Sequence, residues 1–113
     1  DPSVIHSMRD AFLSRRDFIL EELNKIKGIN INQPQGAFYV FPDVSAFFNK
    51  SYENFTVNNS DQLAMYILET AKVAVVTGNA FGSPNCIRIS YASSMKKLID
   101  AMDRIATALN NLV

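Results

Sequence analysis

The chain has no tryptophan, one cysteine (Cys86) and one histidine (His6) among its 113 residues. A lone cysteine excludes an intramolecular disulfide and a cysteine-based metal centre, and a single imidazole adds too few ligands to build one. No metal site is therefore expected, and the cysteine usage points to a reducing, cytoplasmic setting. An excess of one charge sign is missing too, because eleven basic residues balance eleven acidic ones. Nucleic-acid and anionic-membrane binders carry a basic stripe, so neither partner is expected. No apolar run approaches the ~20 residues that span a bilayer, and there are no internal repeats or low-complexity tracts.

What is present is 48% hydrophobic and 19% charged. That is the composition of an ordinary globular protein, and the length suits a single domain spanning residues 1–113 around one core. Three Asn-x-Ser/Thr triplets, beginning at Asn49, Asn54 and Asn58, match the glycosylation acceptor pattern and read here as a polar loop.

Apolar residues at Ile5, Met8, Phe12, Ile19, Leu23 and Ile26 recur at spacings of three, four and one seven, with charged residues between them. This predicts an amphipathic helix of about six turns, capped by Gly28. It exceeds the mean helix of about three turns, as an element bridging two bodies of structure does. A short strand is expected at 29–31, a tight turn at Gln33-Pro34-Gln35-Gly36, and an aromatic strand at 37–41 closed by Pro42. A helical stretch around 45–48 and a polar connection lead to a helix capped by Ser60 and carrying Leu63, Ile67 and Ala71. Residues 73–76 read as a strand running into Thr77-Gly78-Asn79-Ala80-Phe81-Gly82, a turn that needs positive φ at Gly78 or Gly82. A strand at 87–92 follows. Ser93 or Ser94 then caps a closing helix with Leu98, Met102, Ile105, Leu109 and Leu112 on one face. The predicted class is α+β: a small, mostly antiparallel sheet packed against helices, with a long N-terminal helix and a C-terminal helix.

The strand Cys86-Ile87-Arg88-Ile89-Ser90-Tyr91-Ala92 carries a full charge at its centre. Alternation places Ile87, Ile89 and Tyr91 on one face and Cys86, Arg88 and Ser90 on the other. Two readings of Arg88 follow from the pattern. One is an arginine on the wet side of an antiparallel sheet, solvated or paired with an acid. The other is a guanidinium offered to a substrate carboxylate, which its planar fork can hold through two parallel hydrogen bonds. Phe38 and Tyr39 read as core and sheet aromatics, and Cys86 as a small buried residue. No nucleophile, base and orienting group assemble anywhere in the sequence, so no catalytic residue is assigned.

Three stretches, PQGAFYVFPDVS (34–45), VAVVTGNAFG (73–82) and IRISYASS (87–94), together resemble the C-terminal part of class I/II aminotransferases, the pyridoxal-phosphate enzymes related to aspartate aminotransferase. The resemblance covers essentially the whole chain, including the first helix with Arg15-Arg16-Asp17 and the closing helix with Arg104-Ile105. It implies that Arg88 binds the α-carboxylate of an amino-acid substrate and that Phe38 lines the substrate side of the cleft. It also implies that the long first helix connects this small domain to a large domain of the same chain.

The family's Ser-Lys motif does not occur, and Lys72, Lys96 and Lys97 lie in the wrong context. The chain also opens Asp1-Pro2-Ser3 without a methionine. It is therefore expected to be an excised small domain, inactive by itself and with no cofactor-binding residue of its own. The implied whole protein is a homodimeric aminotransferase that uses pyridoxal 5'-phosphate to pass an amino group between amino acids and 2-oxo acids. Alternatives are a carbon–sulfur lyase or a cyclopropane-carboxylate (ACC) synthase on the same fold, or a stand-alone, non-catalytic carboxylate-binding module.

Overall fold

The opening apolar stripe forms helix α1 (Pro2–Asn24), 23 residues and about 35 Å long at 1.5 Å per residue. The computed structural model describes residues 2–31 and 38–113, so the turn expected at Gln33–Gly36 and the strand position of Ala37 lie outside the described residues. Only the second half of α1 is covered. Ile19 and Leu23 are fully buried, whereas Ile5 and Met8 on the same stripe are 66% and 57% exposed. The helix ends four residues before Gly28, because Lys25 and Ile26 donate to the Glu22 and Leu23 carbonyls and tighten the chain into turns. The expected strand at 29–31 reduces to an isolated bridge between Asn30 and Asp43.

A three-stranded antiparallel sheet forms from β1 (Tyr39–Val40), β4 (Val76–Thr77) and β5 (Ile87–Ser90), with β5 in the middle. Its register pairs Tyr39 with Ser90, Val40 with Ile89, Val76 with Arg88 and Thr77 with Ile87. All three strands are shorter than predicted. β1 is bounded by Phe38, whose φ of +67° leaves extended geometry, and by Pro42, which cannot donate to a ladder. Beyond β5 the pairing persists as one bond, Tyr91 N–H to the Phe38 carbonyl at 2.8 Å.

The stretch expected to be a polar loop is instead a hairpin, β2 (Lys50–Tyr52) with β3 (Phe55–Val57). Its turn uses Glu53 in left-handed geometry. The hairpin earns its place by docking: Val57 is buried, and the Phe55 ring meets Tyr66 edge-on at 5.3 Å. Ser51 exchanges two backbone hydrogen bonds with Val113. The 3-10 turn Ser45–Phe47 precedes it, as the sequence suggested.

Helix α2 (Ser60–Ala71) starts one residue earlier than expected. Asn59 is the cap, its side chain accepting from the Gln62 N–H, and this leaves Ser60 as the buried first helical residue. Helix α3 (Met95–Asn110) is capped by Ser94, which accepts from the Lys97 N–H. It packs against both α1 and α2. Its predicted stripe of Leu98, Met102, Ile105 and Leu109 is buried, with Leu112 just past its end. Ile87, Ile89 and Tyr91 join the same core. Each such fully buried side chain contributes roughly 1.5–3 kcal/mol of hydrophobic transfer energy. One face of β5 is thereby committed to the core.

Near the end of α3 the Ala108 carbonyl has no intrahelical donor and accepts instead from the Tyr66 hydroxyl at 2.7 Å. Tyr66 is 1% exposed, and burial pushes its phenol above the usual range. Replacing Tyr66 by phenylalanine strands that buried carbonyl. A loss of about 1–3 kcal/mol is expected, measurable as a lower denaturant midpoint with an unchanged slope.

Candidate functional site

The opposite face of the sheet carries the functional candidates. The register sets Tyr39 diagonal to Arg88 across the β1–β5 ladder, on the same face of the sheet. Diagonal cross-strand neighbours lie within reach of aromatic and long side chains. The Arg88 guanidinium carbon stands 4.2 Å from the centre of the Tyr39 ring and 5.8 Å from that of Phe81. Phe81 is braced by Phe41, edge-on at 5.3 Å. Two aromatic rings thus flank a half-buried arginine, and a third supports one of them.

No carboxylate among the described residues is within ion-pair distance of Arg88; the ion pairs run Arg9–Asp10, Arg16–Asp17, Lys25–Glu22 and Arg104–Asp100, all of them surface pairs. Its Nε is buried without a hydrogen-bond acceptor among the described residues. The side edge of the guanidinium is therefore closed, and the Nη1/Nη2 end is the edge left for a ligand. A buried cationic group without its counter-charge or hydrogen bonds is costly. A carboxylate docking end-on on Nη1 and Nη2 makes two parallel charge-assisted bonds and supplies the missing negative charge.

Phe38 does not accompany Arg88. It is 44% exposed and contacts Phe12 of α1, edge-on at 4.7 Å, and Tyr91 at 6.4 Å. Its left-handed backbone is unusual for a bulky aromatic and costs about 1–3 kcal/mol. The ring that meets the guanidinium belongs to the next residue, Tyr39. Sequence reasoning placed Tyr39 among the sheet aromatics and missed Phe41 and Phe81. Alternation along the strand already separates Tyr39 from Val40, but the register that brings Tyr39 to Arg88 is a tertiary property.

Phe81 reaches the site from a 3-10 turn, Gly78–Phe81, that directly follows β4. Gly82 after it has φ +79°, as foreseen, whereas Gly78 is needed for close approach: a Cβ there collides with the backbone carbonyls of Ser83 and Cys86. Side chains fix the turn to the start of α2. The Asp61 carboxylate accepts from the Thr77 hydroxyl and the Asn79 amide. A carboxylate only accepts, so Thr77 spends its one hydrogen there, and the buried Ser60 hydroxyl donates to Thr77 at 3.0 Å. Cys86, beneath the turn, is buried, and both burial and the Asp43 carboxylate raise its thiol pKa. That is the reverse of what a reactive thiolate needs. Among the described residues no cluster of histidine, cysteine, aspartate or glutamate is arranged to hold a metal ion, and no helix is long and apolar enough to cross a membrane.

The Thr77 hydroxyl first, and the Asn79 amide second, hold the Asp61 carboxyl below its ordinary value of 3.8, against an opposing desolvation. Its pKa is lower folded than unfolded. Its contribution to stability is therefore complete above the unfolded value and is lost as pH falls through the folded one. Asp61→Asn is expected to melt below the parent at pH 7, with the gap narrowing as the pH is taken below 3.8; thermal denaturation at several pH values checks this.

The sequence profile of the family described as Aminotransferase class I and II matches residues 2–105. Among curated relatives, a bifunctional aspartate aminotransferase and glutamate/aspartate-prephenate aminotransferase of Petunia hybrida is 42% identical over 94% of this chain and 22% of its own length. A probable aspartate/prephenate aminotransferase of Aquifex aeolicus is 44% identical over 96% of the chain and 26% of its own length. Among solved structures, the aspartate aminotransferase of Rhizobium meliloti superposes with a TM-score of 0.86 at 38% identity, covering 92% of this chain and 26% of that one. An aromatic aminotransferase from Pyrococcus horikoshii gives 0.80 at 33% identity, over 96% of this chain and 27% of its own. The chain thus spans about a quarter of the length of these relatives. With the family profile and relatives above 40% identity both covering nearly all of it, the chain belongs to the class I and II aminotransferases.

Proposed function

We propose that these 113 residues are the small, substrate-carboxylate-binding domain of a pyridoxal-phosphate-dependent aminotransferase, with Arg88 as the residue that holds the α-carboxylate of the amino acid or 2-oxo acid. The observation that carries this reading is the uncompensated guanidinium. Arg88 stands on the central strand, flanked by two aromatic rings, with a buried Nε and no acid beside it among the described residues. A solvated surface arginine needs no such enclosure. Anchoring the carboxylate fixes the position of the substrate amine and so contributes through orientation. Phe38, an exposed ring one residue from Tyr39, lines the substrate side of the cleft in this reading.

Pyridoxal phosphate supplies the electron sink when bound to the whole protein, but the residues here do not fit a site for it. A lysine that forms a Schiff base is activated by a desolvated or cationic surrounding. Lys25, Lys27, Lys72, Lys96 and Lys97 are all exposed, and Lys50 is half-buried beside Phe47. The cofactor site therefore falls to a large domain of the same chain, in a cytoplasmic homodimer. The exposed first half of α1, with Val4, Ile5 and Met8 uncovered, is the element that reaches toward that domain.

Every amino acid carries an α-carboxylate, so Arg88 by itself does not separate transamination from lyase chemistry or one side chain from another. The names of the relatives favour transamination of aspartate.

Two measurements test the proposal. Arg88→Lys in the longer protein keeps the charge but loses the fork. About one charge-assisted bond disappears, worth roughly 1.5–3 kcal/mol, so kcat/KM for amino acids is expected to fall about 10- to 100-fold with the cofactor still bound. An unchanged kcat/KM overturns the assignment. The 113-residue chain mixed with pyridoxal phosphate is expected to develop no stoichiometric visible absorbance and no transamination. A 1:1 visible band contradicts the division of labour.

A further inference from the structure

Resting on that reading of Arg88, we propose that Tyr39 is a positioning residue: its ring face, with Phe81 on a second side, fixes the plane of the Arg88 guanidinium so that the Nη1/Nη2 edge is presented to the substrate carboxylate. An arginine side chain has four rotatable torsions and about 2 kcal/mol of rotamer entropy. A protein acid or carbonyl bonded to part of the guanidinium would restrict that freedom. Arg88 has neither among the described residues, and its Nε is buried without an acceptor. What does hold it is aromatic: Tyr39 at 4.2 Å and Phe81 at 5.8 Å, with Phe41 behind Phe81 at 5.3 Å.

The arrangement has a chemical advantage. An acidic partner would orient the guanidinium but compete with the substrate for its charge. A ring face attracts the cation through its quadrupole and occupies no N–H donor. Tyr39 is itself placed by the ladder, since its backbone pairs with Ser90 on the strand that carries Arg88. Phe81 is placed from the other side by the Asp61–Thr77–Asn79 bonds and by Gly78, which lets the turn lie against the Ser83 and Cys86 carbonyls. Both rings are therefore fixed by elements other than the arginine, as positioning requires.

The test uses the full-length protein with its cofactor, Tyr39→Leu, Tyr39→Phe and, as a second ring-free variant, Tyr39→Met. The readout is kcat/KM for an amino acid divided by that for the corresponding amine without the carboxylate. Loss of the cation–ring attraction is expected to lower this ratio about 3- to 30-fold in the ring-free variants. The fall is expected chiefly in KM for the amino acid, while the rate with the amine stays unchanged. Tyr39→Phe, which keeps the ring face, is expected to restore the ratio. A ring-free variant with a parental ratio, or a Tyr39→Phe variant as impaired as Tyr39→Leu, overturns the inference. So does an equal loss with amino acid and amine, which marks a general structural defect. Arg88→Lys run beside them separates the two levels. If it leaves the ratio unchanged, the reading of Arg88 fails; if it collapses the ratio and the ring-free variants do not, only the role of Tyr39 fails.

Discussion

A positive charge with no anionic partner among the described residues, set on the central strand of a three-stranded sheet, is the feature to which the rest of this chain can be related. Arg88 lies between β1 and β4, so both of its neighbours across the ladder are fixed by backbone hydrogen bonds. The strand cannot slip by one residue without sending Arg88 into the core and Ile87 or Ile89 into solvent. The burial of Ile87, Ile89 and Tyr91 beside the α3 stripe therefore does two jobs. It stabilises the domain, and it forces the guanidinium onto the opposite face.

On that opposite face the charge has no counter-ion among the described residues. The two rings at the guanidinium come from separate places in the chain, Tyr39 from β1 and Phe81 from the 3-10 turn after β4, and Phe41 supports Phe81. Among the described residues none of them accepts a hydrogen bond from the guanidinium, which meets Tyr39 through its ring face. Two acidic side chains of the loops flanking the sheet are engaged in their own bonds: Asp61 holds Thr77 and Asn79, and Asp43 accepts from the backbone N–H and hydroxyl of Ser45. Charge neutralisation is left to a ligand or to the remainder of the protein. This is where structure and proposed function meet, because a substrate carboxylate supplies both the charge and the two acceptors.

The sequence carried the fold class and the core face with little ambiguity. The i, i+4, i+7 pattern of α3 survives intact from Leu98 to Leu109, since a helix stripe is a local property. The hairpin at 50–57 escaped notice because its residues are mostly polar and its stability comes from docking onto Tyr66 and Val113, which no local pattern records. Ser60 was a plausible cap by residue type, but Asn59 won, and Ser60 turned inward to bond Thr77. At the candidate site, alternation alone put Arg88 on the right face, whereas the identity of its neighbours depended on register. Phe38 drew attention through the resemblance, yet the ring beside the guanidinium is Tyr39, one position on. Phe38 sits just outside β1 in left-handed geometry, a backbone change that no sequence pattern records.

The central claim is that the free end of Arg88 receives the α-carboxylate of a substrate. The most direct measurement is a crystal structure of the longer, cofactor-loaded protein with an unreactive amino-acid analogue bound. The account predicts both carboxylate oxygens at about 2.7–2.9 Å from Nη1 and Nη2 of Arg88, with Tyr39 still against the guanidinium. An Arg88 side chain paired with an acid from elsewhere in the protein, and an analogue whose carboxylate lies on other residues, contradicts it.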